Sequence, residues 1–162
     1  MNVWRYQTHE RVEVSASIEQ VYAVAADPEI VPSYALEVAR IETVKRLSPH
    51  LVLVRSHLKI AGFIIARLYR YHYHPPTHYS GVQEDGKLLR GYFSFSFQMR
   101  DGRTIVSHTE GIMSAIPCLA SVAGFIYYRI LSRGGLAEEL DRLKHLVEHE
   151  HCSVDATCST RT

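Results

Sequence analysis

The sequence has almost no net charge: 18 Lys and Arg against 17 Asp and Glu leave +1 over 162 residues. A near-neutral chain has no general electrostatic attraction to nucleic acid or to an anionic lipid surface, so a nucleic-acid partner is not expected. Cysteine is scarce. Cys118 stands alone in an apolar stretch, and Cys152 and Cys158 lie in a polar C-terminal segment. This is neither a disulfide framework nor a metal-ligand spacing, and a reducing cytoplasm suits it best. No apolar run approaches the ~18 residues of a membrane span, and Met1-Asn2-Val3-Trp4-Arg5 lacks the apolar run of a signal peptide. Integral membrane association is therefore not expected. There is no nucleophile elbow, no phosphate-binding glycine loop, no catalytic-cysteine context and no internal repeat. Gly134-Gly135 follows no strand, so it is not a dinucleotide motif. No cofactor is implied.

What is there is an ordinary apolar fraction of 46% and enough chain for one domain with a real core. Residues 3–15 read as a first strand, with Val12 and Val14 alternating against Arg11 and Glu13. Ser17 with Gln20 three positions on is a capping-box pattern, and Ile18, Val21, Tyr22 and Ala25 follow at helical spacing until Asp27-Pro28. A second very short helix is expected at 29–35. From Glu37 the period becomes two, predicting strands at about 38–47, 50–60, 63–74, 78–84, 88–100 and 103–114. Short turns, among them Asp101-Gly102, make them an antiparallel meander. Leu119, Val122, Ile126, Ile130, Leu136, Leu140, Leu143 and Val147 then predict one long amphipathic helix over 117–149, opened by Pro117 and interrupted by Gly134-Gly135. The glycines mark a bend or close packing, or a hinge. The expected organisation is a single domain over 1–150 and a disordered tail over 151–162.

This order has a simple packing solution of the α+β class. A seven-stranded curved antiparallel sheet must cover one face, and it curls around the only element long enough, the C-terminal helix. One helix cannot fill a seven-stranded concave sheet, so a cavity remains. Several segments also resemble the START-like, Bet v 1-like superfamily, in particular its polyketide cyclase and coenzyme-Q-binding branch. They are Ser17-Ile18-Glu19-Gln20-Val21-Tyr22, Ala26-Asp27-Pro28-Glu29, Pro75-Pro76, Gly91-Tyr92-Phe93-Ser94-Phe95, Asp101-Gly102-Arg103-Thr104-Ile105-Val106, and the run from Gly135 to Lys144. The resemblance covers about 8–149 and implies a helix-grip fold around an apolar ligand cavity. The quinone-binding branch carries a Phe-x-Pro-Trp-type motif where this chain reads Ile30-Val31-Pro32-Ser33-Tyr34. The proline matches and the tryptophan does not.

Residues two apart on a strand share a face. Phe93, Phe95, Phe97 and Met99 form one face of their strand and are expected inward. Register by resemblance also turns Arg67, Tyr69, Tyr71 and Tyr73 inward, where tyrosine offers an apolar body with one polar tip. The match at Thr104-Ile105-Val106 turns Val106 inward, and His108 and Glu110 follow it. A buried carboxylate is costly unless paired, so His108 and Glu110 are the candidates for chemistry or for polar ligand recognition, or else a hydrogen-bonded core pair. Tyr34, Ile126 and Ile130 complete the expected ligand-binding set. His72, His74 and His78 raise a metal site, but no carboxylate or cysteine ligand accompanies them, and none is expected.

The functional expectation is binding or transport of a hydrophobic small molecule, whether lipid, quinone or polyketide-like. The alternatives are an aromatase/cyclase-type enzyme using polar cavity residues, and a protein-interaction module.

Overall fold

A computed structural model describes residues 3–128 and 135–158. Strand β1 (Trp4–Val14) is followed by helices α1 (Ile18–Ala25) and α2 (Val31–Tyr34). Six strands come next: β2 (Val38–Ser48), β3 (Leu51–Ile60), β4 (Phe63–His74), β5 (His78–Gln83), β6 (Arg90–Arg100) and β7 (Arg103–Ser114). Helices α3 (Leu119–Ile126) and α4 (Gly135–Cys158) close the order.

The strands form one antiparallel sheet in the order β1-β7-β6-β5-β4-β3-β2. Each meander strand pairs with its sequence neighbour, while β1 pairs with β7. The α1–α2 segment therefore carries the chain from one edge of the sheet to the other. Three register shifts along β2–β3, between Val38 and Ser48, bend that edge, as bulges do.

Helix α1 starts where the capping box predicts. Ser17 Oγ accepts from the Gln20 amide at 3.3 Å, and the Ser17 amide donates to Gln20 Oε1 at 3.0 Å. Its apolar positions Val21, Tyr22 and Ala25 are buried. Leu136, Leu140, Leu143 and Val147 bury the inner face of α4 against the sheet. Each such side chain contributes about 1.5–3 kcal/mol relative to exposure.

The expected single helix over 117–149 is corrected. Gly135 has φ +62°, a left-handed conformation that an α-helix cannot pass through, so α4 begins there instead of continuing from α3. As described, α4 runs to Cys158, past the expected end. Pro117 does not open a helix: Cys118 caps α3 with φ +64°, and the helix begins at Leu119. The buried face of α3 is also not the expected apolar stripe. Ala120 and Gly124 face inward, while Val122 and Ile126 are exposed. The reason is steric. A Cβ on Gly124 would lie 2.3 Å from the Tyr6 ring of β1, so only small residues permit this close crossing.

Candidate functional site

A cavity of about 240 Å³ lies between the concave sheet, α2, α4 and the segment after α3. Its apolar wall comes from alternate residues of β4 and β6. Tyr69 and Tyr71 of β4 meet Phe93 of β6, with the Tyr71 and Phe93 rings edge to face at 5.1 Å. Phe95 continues the wall and stacks on the His108 imidazole at 3.7 Å. Tyr34 lines the cavity from α2, and Arg67 from β4.

The polar part centres on β7. Val106 is fully buried, His108 is 1% exposed, and Glu110 faces the cavity, as alternation from Val106 requires. His108 Nε2 lies 3.7 Å from Glu110 Oε1, and Nδ1 lies 3.6 Å from Glu139 Oε1 on α4. The imidazole thus stands between two carboxyl groups, one at each nitrogen. Neither nitrogen has a hydrogen-bond partner among the described residues. Glu37, just before β2, also lines the cavity and accepts from the Tyr127 hydroxyl.

Burial sets the protonation of this group. It pushes His108 down to about 3, with a smaller contribution from His9, so the ring is neutral at ordinary pH. Burial, then the charge of Glu37, pushes Glu110 up to about 8, against the pull of a hydrogen bond from Tyr128. Glu139 is raised well above the usual carboxylate range by burial, then by Glu110 and Glu37. The Tyr69 and Tyr71 hydroxyls are raised by burial and stay protonated. In Ser56 and Tyr71 two hydroxyls meet at 3.3 Å.

The sequence-derived set divides. Tyr34, Arg67, Tyr69, Tyr71, Phe93, Phe95, His108 and Glu110 are brought together on the cavity wall. Tyr73 and Phe97 point inward but belong to the solid core: Tyr73 stacks on Tyr79 at 6.1 Å, and Phe97 is 1% exposed. They sit beyond the cavity because each strand passes from core to pocket along its length. Ile126 is corrected, since it is 44% exposed on the outer face of α3. Met99 likewise leaves the sheet interior near the β6–β7 turn and is 49% exposed. Ile130 lies outside the described residues.

Four residues were missed: Glu37, Tyr127, Tyr128 and Glu139. Glu139 had a readable signal, because it falls three after Leu136 and four before Leu143, on the buried stripe of α4. The other three follow no periodic pattern. His74 and His78 stand opposite each other on β4 and β5 with ring centroids 6.2 Å apart, but His72, His74 and His78 form no ligand group among the described residues. The set whose ligand atoms lie within 4.8 Å of one another is His108, Glu110 and Glu139. Each of the three offers one ligand atom to that group, one ring nitrogen and one oxygen from each carboxyl group.

No protein-family model matches the chain, and no curated protein matches it by sequence. Solved structures do. Zhui aromatase/cyclase from Streptomyces sp. R1128 superimposes with TM-score 0.70 at 15% identity, over 91% of this chain and 96% of that one. A START superfamily protein from Mycobacterium smegmatis gives 0.68 at 17%, over 89% and 98%. Ara h 8.0201, a smaller likeness, gives 0.61 at 11%, over 89% and 98%. The di-domain ARO/CYC BexL matches 89% of this chain at TM-score 0.69 and 15% identity, but the chain spans only 50% of its length. Among the described residues no helix is long and apolar enough to cross a membrane. The curved seven-stranded sheet, the C-terminal helix and these superpositions together identify the architecture of this chain as the START-like helix-grip fold.

Proposed function

We propose that this chain, over residues 1–150, binds or carries a hydrophobic small molecule in the cavity between the sheet and α4, in the cytoplasm. The observation that supports the reading is the cavity itself: about 240 Å³ walled by Tyr69, Tyr71, Phe93 and Phe95, with a few convergent polar groups at one side. That combination of apolar wall and sparse, buried polar contacts is what orients a small ligand. The unpaired exposed Cys118 accords with a reducing compartment. The ligand set proposed is Tyr34, Arg67, Tyr69, Tyr71, Phe93, Phe95, His108 and Glu110, to which Glu37 and Glu139 are added.

The test is native mass spectrometry and solvent extraction of the purified protein, with a melting-temperature screen of quinones, fatty acids and polycyclic compounds. Bound ligand or a concentration-dependent rise in Tm supports the reading. No extracted ligand and no shift across the panel would remove it.

A second reading is favoured by one observation, the imidazole of His108 between two carboxyl groups. A carboxyl held up to about 8 exchanges a proton near neutral pH, which is what an acid–base catalyst of aromatase/cyclase type requires. Turnover of a poly-β-keto substrate by the wild type, lost in His108→Ala, supports it. Equal rates in both take the histidine out of any mechanism.

A further inference from the structure

We infer that the ligand of this cavity carries a basic nitrogen beside an apolar body, and that Glu37, Glu110 and Glu139 receive that nitrogen as a cation. This rests on the reading of the cavity as a ligand site and goes further by assigning the charge of the occupant.

Three carboxyl groups reach one cavity from three separate parts of the chain: the approach to β2, the middle of β7 and the first turns of α4. Into the same space points His108, 1% exposed, with both ring nitrogens unpartnered among the described residues. Among the described residues, Arg67 is the one Lys or Arg on the wall. Its guanidinium turns back to the Ala66 carbonyl at 3.3 Å and makes no ion pair with any of the three carboxyl groups. Among the described residues the cavity wall therefore holds an excess of acid without a counter-charge. Like charges in a low-dielectric space are costly, and the site relieves this by keeping protons: Glu110 and Glu139 are both held above the ordinary carboxylate range, by burial and then by their carboxylate neighbours. His108 is itself depressed by burial and by His9, so it does not serve as an internal cation.

The walls suit the same occupant. Tyr69, Tyr71 and Phe93 present aromatic rings to the cavity, and aromatic faces attract a cation within about 6 Å of the centroid. An ammonium group would donate to the carboxylates and let them ionise, and the displaced carboxyl protons would leave to solvent. A hydroxyl group cannot do this, and a ligand carboxylate would meet like charge. Among the described residues the other titratable groups lining the site are Tyr34 on α2, Tyr79 on β5, Tyr92 on β6, and Tyr127 and Tyr128 after α3; His9 on β1 lies on the outer face, bonded to Thr109. The tyrosine hydroxyls there are all raised by burial and stay neutral across the working range.

The experiment is calorimetric titration of the full chain with three probes on one skeleton: naphthylethylamine, naphthylethanol and naphthylpropionic acid. Each is run at pH 7 in two buffers of different protonation heat. The expected result is amine binding at least about tenfold tighter than the alcohol, the acid weakest, and proton release with the amine alone. Amine affinity should rise between pH 6 and 8, as the competing carboxyl protons become easier to displace. Glu110→Gln and Glu139→Gln, each checked for a native melting transition, should lower the amine-to-alcohol ratio and the proton release. Should either variant fail to fold, the proton release and the pH dependence of the wild type carry the test. Equal affinity for amine and alcohol, or preference for the acid, overturns the inference and leaves the cavity reading standing. Binding of none of the three overturns the inference, and the cavity reading falls with it if the extraction and melting-temperature screen are also negative. Tight binding of Zn²⁺ added alone, with no amine binding, also overturns it.

Discussion

The two ends of the same strands follow opposite rules. Towards the α1 side, the sheet and α4 enclose a solid core of Val14, Val21, Phe97, Leu140, Leu143 and Val147, all at 1% exposure or less. Where this core borders the cavity, Tyr34 and Tyr79 both donate to the Ala25 carbonyl, at 2.6 and 2.8 Å, while the Tyr22 hydroxyl deeper in has no partner among the described residues. A few residues along β6 and β7, the same inward faces reach the cavity. There His108 is equally buried but unpartnered, and Glu110 and Glu139 stand beside it. A buried polar group without a partner costs about 1–3 kcal/mol, so one end of the domain is arranged for stability and the other carries a cost that a ligand can relieve.

The largest effect expected from breaking this contrast is on the core side. Phe97→Ala should cost about 3–5 kcal/mol in urea unfolding, because the ring is enclosed by Tyr22, Tyr79 and Phe95 and the hole cannot be filled by solvent. Next is pH. Glu110, raised in the folded state to about 8, leaves its contribution intact below the unfolded carboxylate value near 4.5 and loses it as pH rises through 8. His108, lowered to about 3, acts in the opposite sense: its contribution is intact above about 6.5 and is lost as pH falls towards 3. Stability measured across pH 5 to 9 should fall on the alkaline side, and Glu110→Gln should flatten that slope. An unchanged slope in the variant would place the carboxyl in a more solvated setting.

Smaller effects sharpen the contrast further. Tyr79→Phe removes a satisfied hydrogen bond in the core and should cost about 1 kcal/mol. His108→Leu removes an imidazole with no partner, and should alter stability by less than Tyr79→Phe does or raise it slightly. If the histidine substitution were the more destabilising of the two, the contrast between the hydrogen-bonded Tyr34–Tyr79 pair and the unpartnered imidazole would fail.

How much of this was legible in the sequence depends on what kind of signal each feature leaves. Strand alternation is local, so the seven strands and the shared face of Val106, His108 and Glu110 could be read directly, whereas the inward direction of that face and of the β4 tyrosines came from the family resemblance. The capping box at Ser17 and the Asp101-Gly102 hairpin are likewise local chemistry. The passage from core to pocket is not. Tyr73 and Tyr71 look alike in sequence, and only the position of α2 and α4 above the sheet decides which packs solidly and which borders space. The misreading of α3 has the same origin. Its apolar spacing is real, but the crossing against Tyr6 admits only Ala120 and Gly124, and the larger residues turn outward. The break at Gly135 was marked by its glycine, but its left-handed φ was not deducible from spacing alone. Glu139 was within reach, since a carboxylate on the apolar stripe of a buried helix needs an explanation, whereas Glu37 and the Tyr127-Tyr128 pair enter the site through connections without periodicity.

The most direct test of the account is an amide chemical-shift titration of the protein with naphthylethylamine. The account predicts perturbations concentrated at Tyr69, Tyr71, Phe93, His108, Glu110 and Glu139, with Val14, Val21, Phe97 and Leu143 little changed. Shifts absent at saturating ligand, or confined to the outer surface of α3, would contradict it.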